Sequence, residues 1–156
     1  MQIEITMNLQ PIAIVQSARR EIKDDNWGNV ESIIELVPEL KEEAFDGIDQ
    51  FSHLEIIYYF HKNIPEKIVS DSRHPRNNKN WPKCGIFAQR GKNRPNSLGL
   101  TTVKLIRRKG KCISVLGLDA IDGTPILDIK PVMKEFLPRE EVTQPSWSSE
   151  LMKHYW

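Results

Sequence analysis

The chain has 156 residues, a hydrophobic fraction of 39%, a charged fraction of 28% and a formal net charge of +1, which are ordinary values for a globular protein with a buried core. No apolar stretch approaches the roughly 18 residues that a membrane helix needs, and the first residues lack the basic start and apolar core of a signal peptide. The two cysteines form no CxxC pair and the four histidines show no ligand spacing, so we expect free thiols, no structural metal and a cytoplasmic protein.

The first half of the chain predicts mainly β-strands. The residues of "IEITM" alternate in polarity, "PIAIVQS" has the length and composition of a strand, and "VESIIEL" is a third strand that ends before Pro38. The acidic stretch "PELKEEAFDGID" predicts a short helix or turn that ends near Gly47. "FSHLEIIYYFHK" is rich in aromatic and β-branched residues, which predicts a long strand buried at its centre.

The second half continues this pattern after a polar loop, "HPRNNKNWP". "KCGIFAQ" predicts another strand, and "LTTVKLIRR" with "KCISVLGL" predicts a hairpin that turns at Gly110. "TPILDIK" is a strand after a turn at Asp122 and Gly123. The polar last stretch is expected to dock as a short terminal helix through Leu151 and its neighbours Tyr155 and Trp156.

Seven or so short strands with little helix indicate an all-β protein with one or two short helices. A closed or nearly closed β-barrel and a β-sandwich both fit this pattern. We expect a single domain over residues 1–156, with functional residues on the loops of a rigid scaffold.

The near-zero net charge hides a segregation of charge. Residues 72–118 contain twelve lysines and arginines and no acid, whereas residues 1–71 carry fourteen acids and six bases. Such a band creates a local positive field. A solvated face is the plain alternative, above all for the hairpin tip at residues 107–111, but the whole band suggests an anionic partner, with nucleic acid the leading candidate.

Common catalytic motifs are absent from the sequence, which contains no GxxxxGK[ST], GxGxxG, GxSxG or HExxH. In "QRGKNRPNSLG", Arg90 and Arg94 are planar cations suited to phosphate or carboxylate, and Gly99 allows close approach. The alternative is a surface turn with solvated arginines.

Acidic residues and histidines mark two further stretches. In "LDAIDGTPILDIKP", Asp119, Asp122 and Asp128 suit amines, hydroxyls or a cationic ligand, or else they bond the amides of their own turn. In "FSHLEIIYYFHK", His53 and His61 are eight residues apart, so in a strand of period two they share a face. A structural role is favoured for His53.

Four of these stretches, "PIAIVQS", "FSHLEIIYYFH", "GIFAQRGKNRPNSLGL" and "GLDAIDGTPILDIKP", resemble in order and spacing the TrmO family, also called YaeB or TsaA-like proteins. The resemblance covers roughly residues 10–133, which leaves residues 134–156 as a tail. It implies a compact β-barrel that dimerises, with S-adenosyl-L-methionine held near the subunit junction. The implied reaction is methylation of the exocyclic nitrogen of threonylcarbamoyl-adenosine beside the anticodon of certain tRNAs.

The resemblance also implies residue roles at the matching positions. The expected cofactor contacts are Ser17, Ala18, Arg19, His61, Lys62, Arg90, Leu100, Asp119, Ala120, Ile121 and Asp122. The candidates for a general base are Asp119, Asp122 and His61. The expected contacts to the tRNA are Arg73, Arg76, Lys79, Lys83, Arg94 and Asn96.

The chain departs from the family pattern at several positions. Gly91 replaces a serine and Ser97 a proline in the "RPN" loop, Glu55 stands where the family has tryptophan, and "QSA" replaces "RSP" after the first core strand. Two other functions are therefore also considered. The same barrel and cofactor could methylate a small molecule, or the barrel could bind RNA without catalysis.

Overall fold

Eight β-strands make up most of the regular structure in the computed structural model, which describes residues 3–156. They are β1 (Ala13–Ser17), β2 (Glu31–Leu36), β3 (His53–Tyr59), β4 (Ser72–Arg73), β5 (Cys84–Gly85), β6 (Leu98–Lys109), β7 (Cys112–Leu116) and β8 (Pro125–Pro131). Within the described range the α-helix α1 covers Ser146–Leu151. Single 3-10 turns occupy Glu42–Phe45, Ile48–Gln50, Pro65–Lys67, Pro75–Asn77, Ile86–Ala88, Pro95–Ser97 and Lys134–Phe136. The predicted mainly-β fold is confirmed.

Six strands form a closed antiparallel barrel in the order β1-β2-β7-β6-β3-β8. The ring closes because β1 pairs with β2 on one side and with β8 on the other, where Ala13 lies opposite Ile126. The two-residue strands β4 and β5 form a separate small sheet in the connection between β3 and β6. Of the barrel and the sandwich that the sequence left open, the barrel is confirmed; the assignment of residues 1–156 to one domain stays a prediction.

The core of the barrel consists of alternate residues of its strands. Along β3, Leu54, Ile56 and Tyr58 are buried and their neighbours are at least partly exposed, because successive side chains of a strand point to opposite faces. Phe45, from a 3-10 turn, packs on the same core beside the end of β6. Burial of these apolar side chains is the main stabilising term of the fold.

Two predicted turns take the conformations that their glycines allow. Gly110 has a φ of 57° between β6 and β7, and Gly123 has a φ of 79° before β8. Residues with a side chain rarely adopt such angles. The predicted hairpin and the predicted turn at Asp122 and Gly123 are confirmed.

Two predicted strands are wrong. "IEITM" forms no strand over residues 3–7, and Ile3 and Ile5 are exposed; the ring closes between β1 and β8 without this segment. In "KCGIFAQ" only Cys84–Gly85 is extended, since its partner β4 has two residues. Among residues 3–156, no helix has both the length and the apolar character that crossing a membrane requires.

Candidate functional site

One end of the barrel carries a cleft of about 1130 Å³. The strand pairing brings the last residues of β1, β3 and β7 and the first residues of β2, β6 and β8 to this end. Loops at these strand ends and the carboxy-terminal segment, residues 144–156, form the walls. Small-ligand pockets measure roughly 300–1,000 Å³, so this cleft has room for more than one ligand.

A carboxylate held by three hydroxyl groups lies in the cleft. Tyr58 Oη donates to Asp119 Oδ1 at 2.9 Å, and the hydroxyl of Thr101 donates to the same oxygen. The phenol of Tyr155 donates to Asp119 Oδ2. The three ion pairs among the described residues do not include Asp119. Its negative charge is thus stabilised by hydrogen bonds and is not neutralised by a cation.

Both phenols of this cluster remain protonated. Burial raises the pKa of Tyr58 well above its ordinary value, and the charge of Asp119 raises it further. The pKa of Tyr155 is raised for the same two reasons, in the same order. The two hydroxyls therefore act as donors to Asp119 at neutral pH.

Asp122 is bound to the end of β1. Its Oδ1 accepts the backbone N–H of Ser17 at 2.9 Å, and its own N–H donates to the carbonyl of Arg19 at 2.7 Å. The carboxylate of Asp122 thus accepts a hydrogen bond from a backbone amide. Amide bonding was the structural alternative to ligand binding that the sequence left open. Ser17, Ala18 and Asp122 border a second hollow of about 360 Å³, whereas Asp119 lines the main cleft. The expected cofactor contacts are therefore divided between two hollows, and Arg19 lines neither of them.

The side chain of Arg19 supports the loop that follows β1. Its guanidinium lies 4.3 Å from the centre of the Trp27 ring and donates to the carbonyl of Asp25 at 2.9 Å and to that of Asn26. The stacking on Trp27 and the two hydrogen bonds show that the Arg19 guanidinium stabilises this loop. Only the backbone of Arg19 therefore remains available to contact a ligand.

His61 and Lys62 follow the end of β3. The His61 ring lies beside Gly123, the ammonium of Lys62 donates to the carbonyl of Arg20 at 3.3 Å, and both residues line the cleft. Burial, with the charge of Lys62 second, lowers the pKa of His61 below its ordinary value of 6.5, so its imidazole is neutral at pH 7. Asp119 and Asp122 each accept protein hydrogen bonds, whereas His61 makes none within residues 3–156.

The expectation that His53 and His61 share a strand face is wrong. β3 ends at Tyr59, and the chain turns at His61 and Lys62. His53 is at the start of β3, at the other end of the barrel, where Nδ1 lies 2.7 Å from Ser52 Oγ. His53 is exposed there, and the structural role that the sequence favoured for it stays a prediction.

The loop before β6 places Arg90 in the cleft. Arg90 Nη2 donates to the carbonyl of Leu100 at 2.5 Å, and the next residue, Thr101, bonds Asp119. Arg90 and Asp119 thus contact consecutive residues of β6 and line one cleft. Asn63 stabilises the loop, since its Nδ2 donates to the carbonyl of Lys92 at 2.6 Å and to Ser97 Oγ at 2.9 Å.

The six residues expected to contact tRNA differ in how free their side chains are. Arg76 forms an ion pair with Asp25 at 2.8 Å, Arg73 donates to Asn77 Oδ1 at 3.2 Å, and Arg94 donates to the carbonyl of Gln89 at 2.7 Å. Lys79 and Lys83 are exposed and make no hydrogen bond or ion pair in the described part of the chain, and Asn96 is an exposed turn residue with a φ of 65°. The three arginines thus have structural partners that charge segregation in the sequence did not reveal.

The carboxy-terminal segment is the part of the site that sequence reasoning missed. Its docking was expected, but its contribution of Tyr155 to Asp119 was not. The hydrogen-bonded residues of this cluster are 18 to 61 positions apart in sequence, and no motif connects them. Described residues contain no group of three histidine, cysteine, aspartate or glutamate side chains that could hold a metal ion.

Comparison with known proteins identifies relatives of the barrel. The family model of the tRNA-methyltransferase O N-terminal domain matches residues 22–136. A probable S-adenosyl-L-methionine-binding protein of Pyrococcus abyssi is 36% identical over 148 residues, which cover 91% of this chain and 77% of that protein. The tRNA (adenine(37)-N6)-methyltransferase of Homo sapiens is 40% identical over 104 residues, which cover 67% of this chain and 23% of the human protein.

The same relationship is seen among solved structures. A crystal structure of TrmO from Pseudomonas aeruginosa matches with a TM-score of 0.71 and 26% identity, over 88% of this chain and 61% of the crystallised one. The chain thus spans less than two thirds of the crystallised protein and under a quarter of the human one.

Proposed function

The chain belongs to the tRNA-methyltransferase O family, and on this premise we propose that it is a methyltransferase that uses S-adenosyl-L-methionine and acts on tRNA. Its acceptor is the exocyclic nitrogen of the adenosine beside the anticodon, in the threonylcarbamoyl form. The names of its relatives support the cofactor and the tRNA.

The observation that carries the proposal is the joint position of Arg90 and Asp119 in one cleft. A methionine-type ligand presents a carboxylate, an amine and a cationic sulfur. A guanidinium fork matches the carboxylate, and a carboxylate without a cation partner suits the positive groups. The buried Ala120 and Ile121 add an apolar lining beside Asp119. The donor set of the cleft therefore fits this cofactor, which when bound supplies an electrophilic methyl group.

The work of the chain is then to orient the acceptor and to exclude water. Alignment of two reactants at a fixed site lowers a barrier by roughly 7–11 kcal/mol. Hydrogen bonds from Tyr58, Thr101 and Tyr155 hold Asp119 in one orientation, and Arg90 is held through Leu100. The cleft is thus preorganised before any ligand enters.

We assign the general base to His61. The acceptor nitrogen is conjugated to a carbamoyl group and is a poor nucleophile until its proton is removed. Both carboxylate oxygens of Asp119 already accept hydroxyl hydrogen bonds, and Asp122 is engaged with Ser17, whereas the neutral His61 ring lines the cleft and makes no hydrogen bond among residues 3–156. His61 is therefore the candidate able to accept a proton.

The transfer rate should be level above pH 7 and should fall as the pH drops below 6.5. The reason is that the pKa of His61 is lowered from 6.5, so the basic form is complete at neutral pH and is lost only at lower pH. Single-turnover rates from pH 5 to 9, with circular dichroism at each pH to confirm folding, measure this. A rate that already falls between pH 9 and pH 7 would contradict the assignment.

The cationic band supports tRNA as the substrate. Lys79 and Lys83 are exposed, which suits contacts to backbone phosphates. Arg73, Arg76 and Arg94 already have protein partners and carry a smaller part of this proposal. Asn96 lies in the exposed turn beside them and completes the proposed contacts.

The proposed function is tested with S-adenosyl-L-methionine labelled in its methyl group, the full chain and total tRNA. We expect label in tRNA, and a KM for tRNA that rises with salt because phosphate contacts release counterions. Cofactor binding without label in RNA would support a small-molecule acceptor instead. If calorimetry detects no binding of the cofactor, the alternative of a non-catalytic RNA-binding barrel would be supported.

We also propose that the protein forms a homodimer beside Arg90. Leu98, Leu100 and Phe87 are exposed apolar residues that also line the cleft near Arg90, and such a patch at the cleft mouth favours association. Sedimentation velocity should give about twice the 18.1 kDa mass of the chain, and Phe87→Ser should shift the equilibrium toward monomer. A wild-type protein that sediments at the monomer mass at all concentrations would overturn the proposal.

The location that we propose is the cytoplasm. Cys84 and Cys112 are both free thiols, which suits a reducing compartment. Immunoblots of cell fractions would show the protein elsewhere if this is wrong.

A further inference from the structure

We propose that the carboxy-terminal segment, residues 144–156, forms the acceptor side of the cleft, with Trp147 as the surface on which the acceptor nucleobase stacks. This inference rests on the proposed function and adds to it the residues that bind the acceptor. The family model ends at residue 136, so this wall lies outside the matched barrel domain.

The segment is firmly attached to the barrel. The backbone N–H groups of Asn26 and Trp27 donate to the carbonyls of His154 and Tyr155 at 2.9 and 2.7 Å. The indole of Trp81 donates to Glu150 Oε2 at 2.8 Å. The segment is thus a fixed wall of the cleft, held from two separate loops.

The side chains of this segment that line the cleft come from α1 and from the turn after it. Trp147 and Leu151 are four residues apart in α1, which places them on one face of the helix, and Tyr155 follows in the turn. Tyr155 is fixed by its hydrogen bond to Asp119. The wall therefore contacts Asp119 through Tyr155 and presents Trp147 to the same cleft.

Of the two tryptophans in this wall, Trp147 is the one free to meet a ligand. The ring of Trp156 packs edge to face against that of Tyr155, with centroids 4.8 Å apart, and the indole N–H groups of Trp27 and Trp81, outside the wall, are bonded to the carbonyl of Lys23 and to Glu150. Trp147 is half-buried, lines the cleft and makes no hydrogen bond among residues 3–156. An aromatic face with a free polar edge is what proteins use to stack unpaired bases.

The chemistry of the cleft favours a nucleobase as the occupant of this side. The cleft exceeds the volume of a typical single-ligand pocket, which leaves space beside the cofactor. The cleft is also lined by Arg94, which forms no ion pair among residues 3–156 and whose charge suits the phosphates or the carboxylate attached to the acceptor base. An aromatic wall and a cation in the same cleft match a modified adenosine.

The test compares Trp147→Ala, Trp147→Phe and Phe136→Ala in the full chain. Phe136 is an exposed residue outside the cleft and serves as the control. Loss of base stacking costs a factor of about 5 to 140, so we expect the KM of Trp147→Ala for total tRNA to rise by that factor. Trp147→Phe should recover most of the loss, and Phe136→Ala should behave as wild type.

The affinity for S-adenosylhomocysteine, measured by calorimetry, separates the two halves of the cleft. We expect Trp147→Ala to bind it within about twofold of wild type, because stacking of the acceptor is a separate contact. An unchanged KM would overturn the inference, and so would a matching loss of affinity for S-adenosylhomocysteine. A failure of the proposed function itself would be recognised differently, since the wild-type chain would then transfer no methyl group to tRNA.

Discussion

Replacing Asp119 with asparagine is expected to weaken binding of S-adenosyl-L-methionine about 10- to 150-fold, the loss that accompanies removal of a charged hydrogen-bonding partner worth about 1.5–3 kcal/mol. The amide keeps the shape of the side chain but removes the negative charge that the cleft offers to a cationic ligand. It also turns an N–H₂ group toward hydroxyls that now donate to Asp119. Calorimetric titration of the variant with the cofactor measures the effect.

The matched control for this variant is Asp128→Asn. Asp128 lies on β8, pairs with Lys130 at 3.3 Å and does not line the cleft, so its affinity for the cofactor should be that of wild type. If Asp119→Asn binds within twofold of wild type, the charge of Asp119 has no part in recognition of the cofactor.

The Gly99→Ala substitution is expected to destabilise the barrel by about 3 kcal/mol, the upper part of the range for overpacking of a core. A Cβ at Gly99 would lie 2.3, 2.4 and 2.9 Å from three ring atoms of Tyr58. That ring is almost fully buried and its hydroxyl bonds Asp119, so it cannot move aside without loss of packing and of a hydrogen bond. Urea denaturation, monitored by circular dichroism, measures the change in the free energy of unfolding.

Gly91→Ala is the control for this effect. No atom lies within 4 Å of a Cβ built at Gly91, and its φ is not in the left-handed region. Its free energy of unfolding should stay within about 0.5 kcal/mol of wild type. Equal unfolding midpoints for the two alanine variants would show that the Tyr58 ring can move aside without lowering the free energy of unfolding.

The barrel could be predicted because its strands obey a period of two. In β3 the buried Leu54, Ile56 and Tyr58 alternate with more exposed neighbours, and this alternation is written directly in the sequence. The failure at "IEITM" has a clear cause. Alternation shows that a segment can pair, but the ring closes between β1 and β8 without this segment.

The partners of the site residues could not be predicted in the same way. Asp119 was singled out from its turn, but Tyr58 and Tyr155 reach it through the register of β3 and the docking of the terminal segment. The same holds for charge. Arg76 was assigned to a cationic band, yet Asp25, fifty-one positions earlier, neutralises it in space. Local patterns identify reactive residues, and long-range pairing decides what those residues are free to do.

The pairing of β1 with β8 has a consequence for how the protein is made. Ala13 meets Ile126 across more than one hundred intervening residues, so joining these two strands fixes the longest loop of the ring and carries a large entropic cost. During synthesis β1 must wait until β8 has left the ribosome. Because the loop that follows β1 and the loop that precedes β8 both line the cleft, an unfinished chain has no complete cleft, and the nascent barrel cannot take up its ligands before the ring is complete.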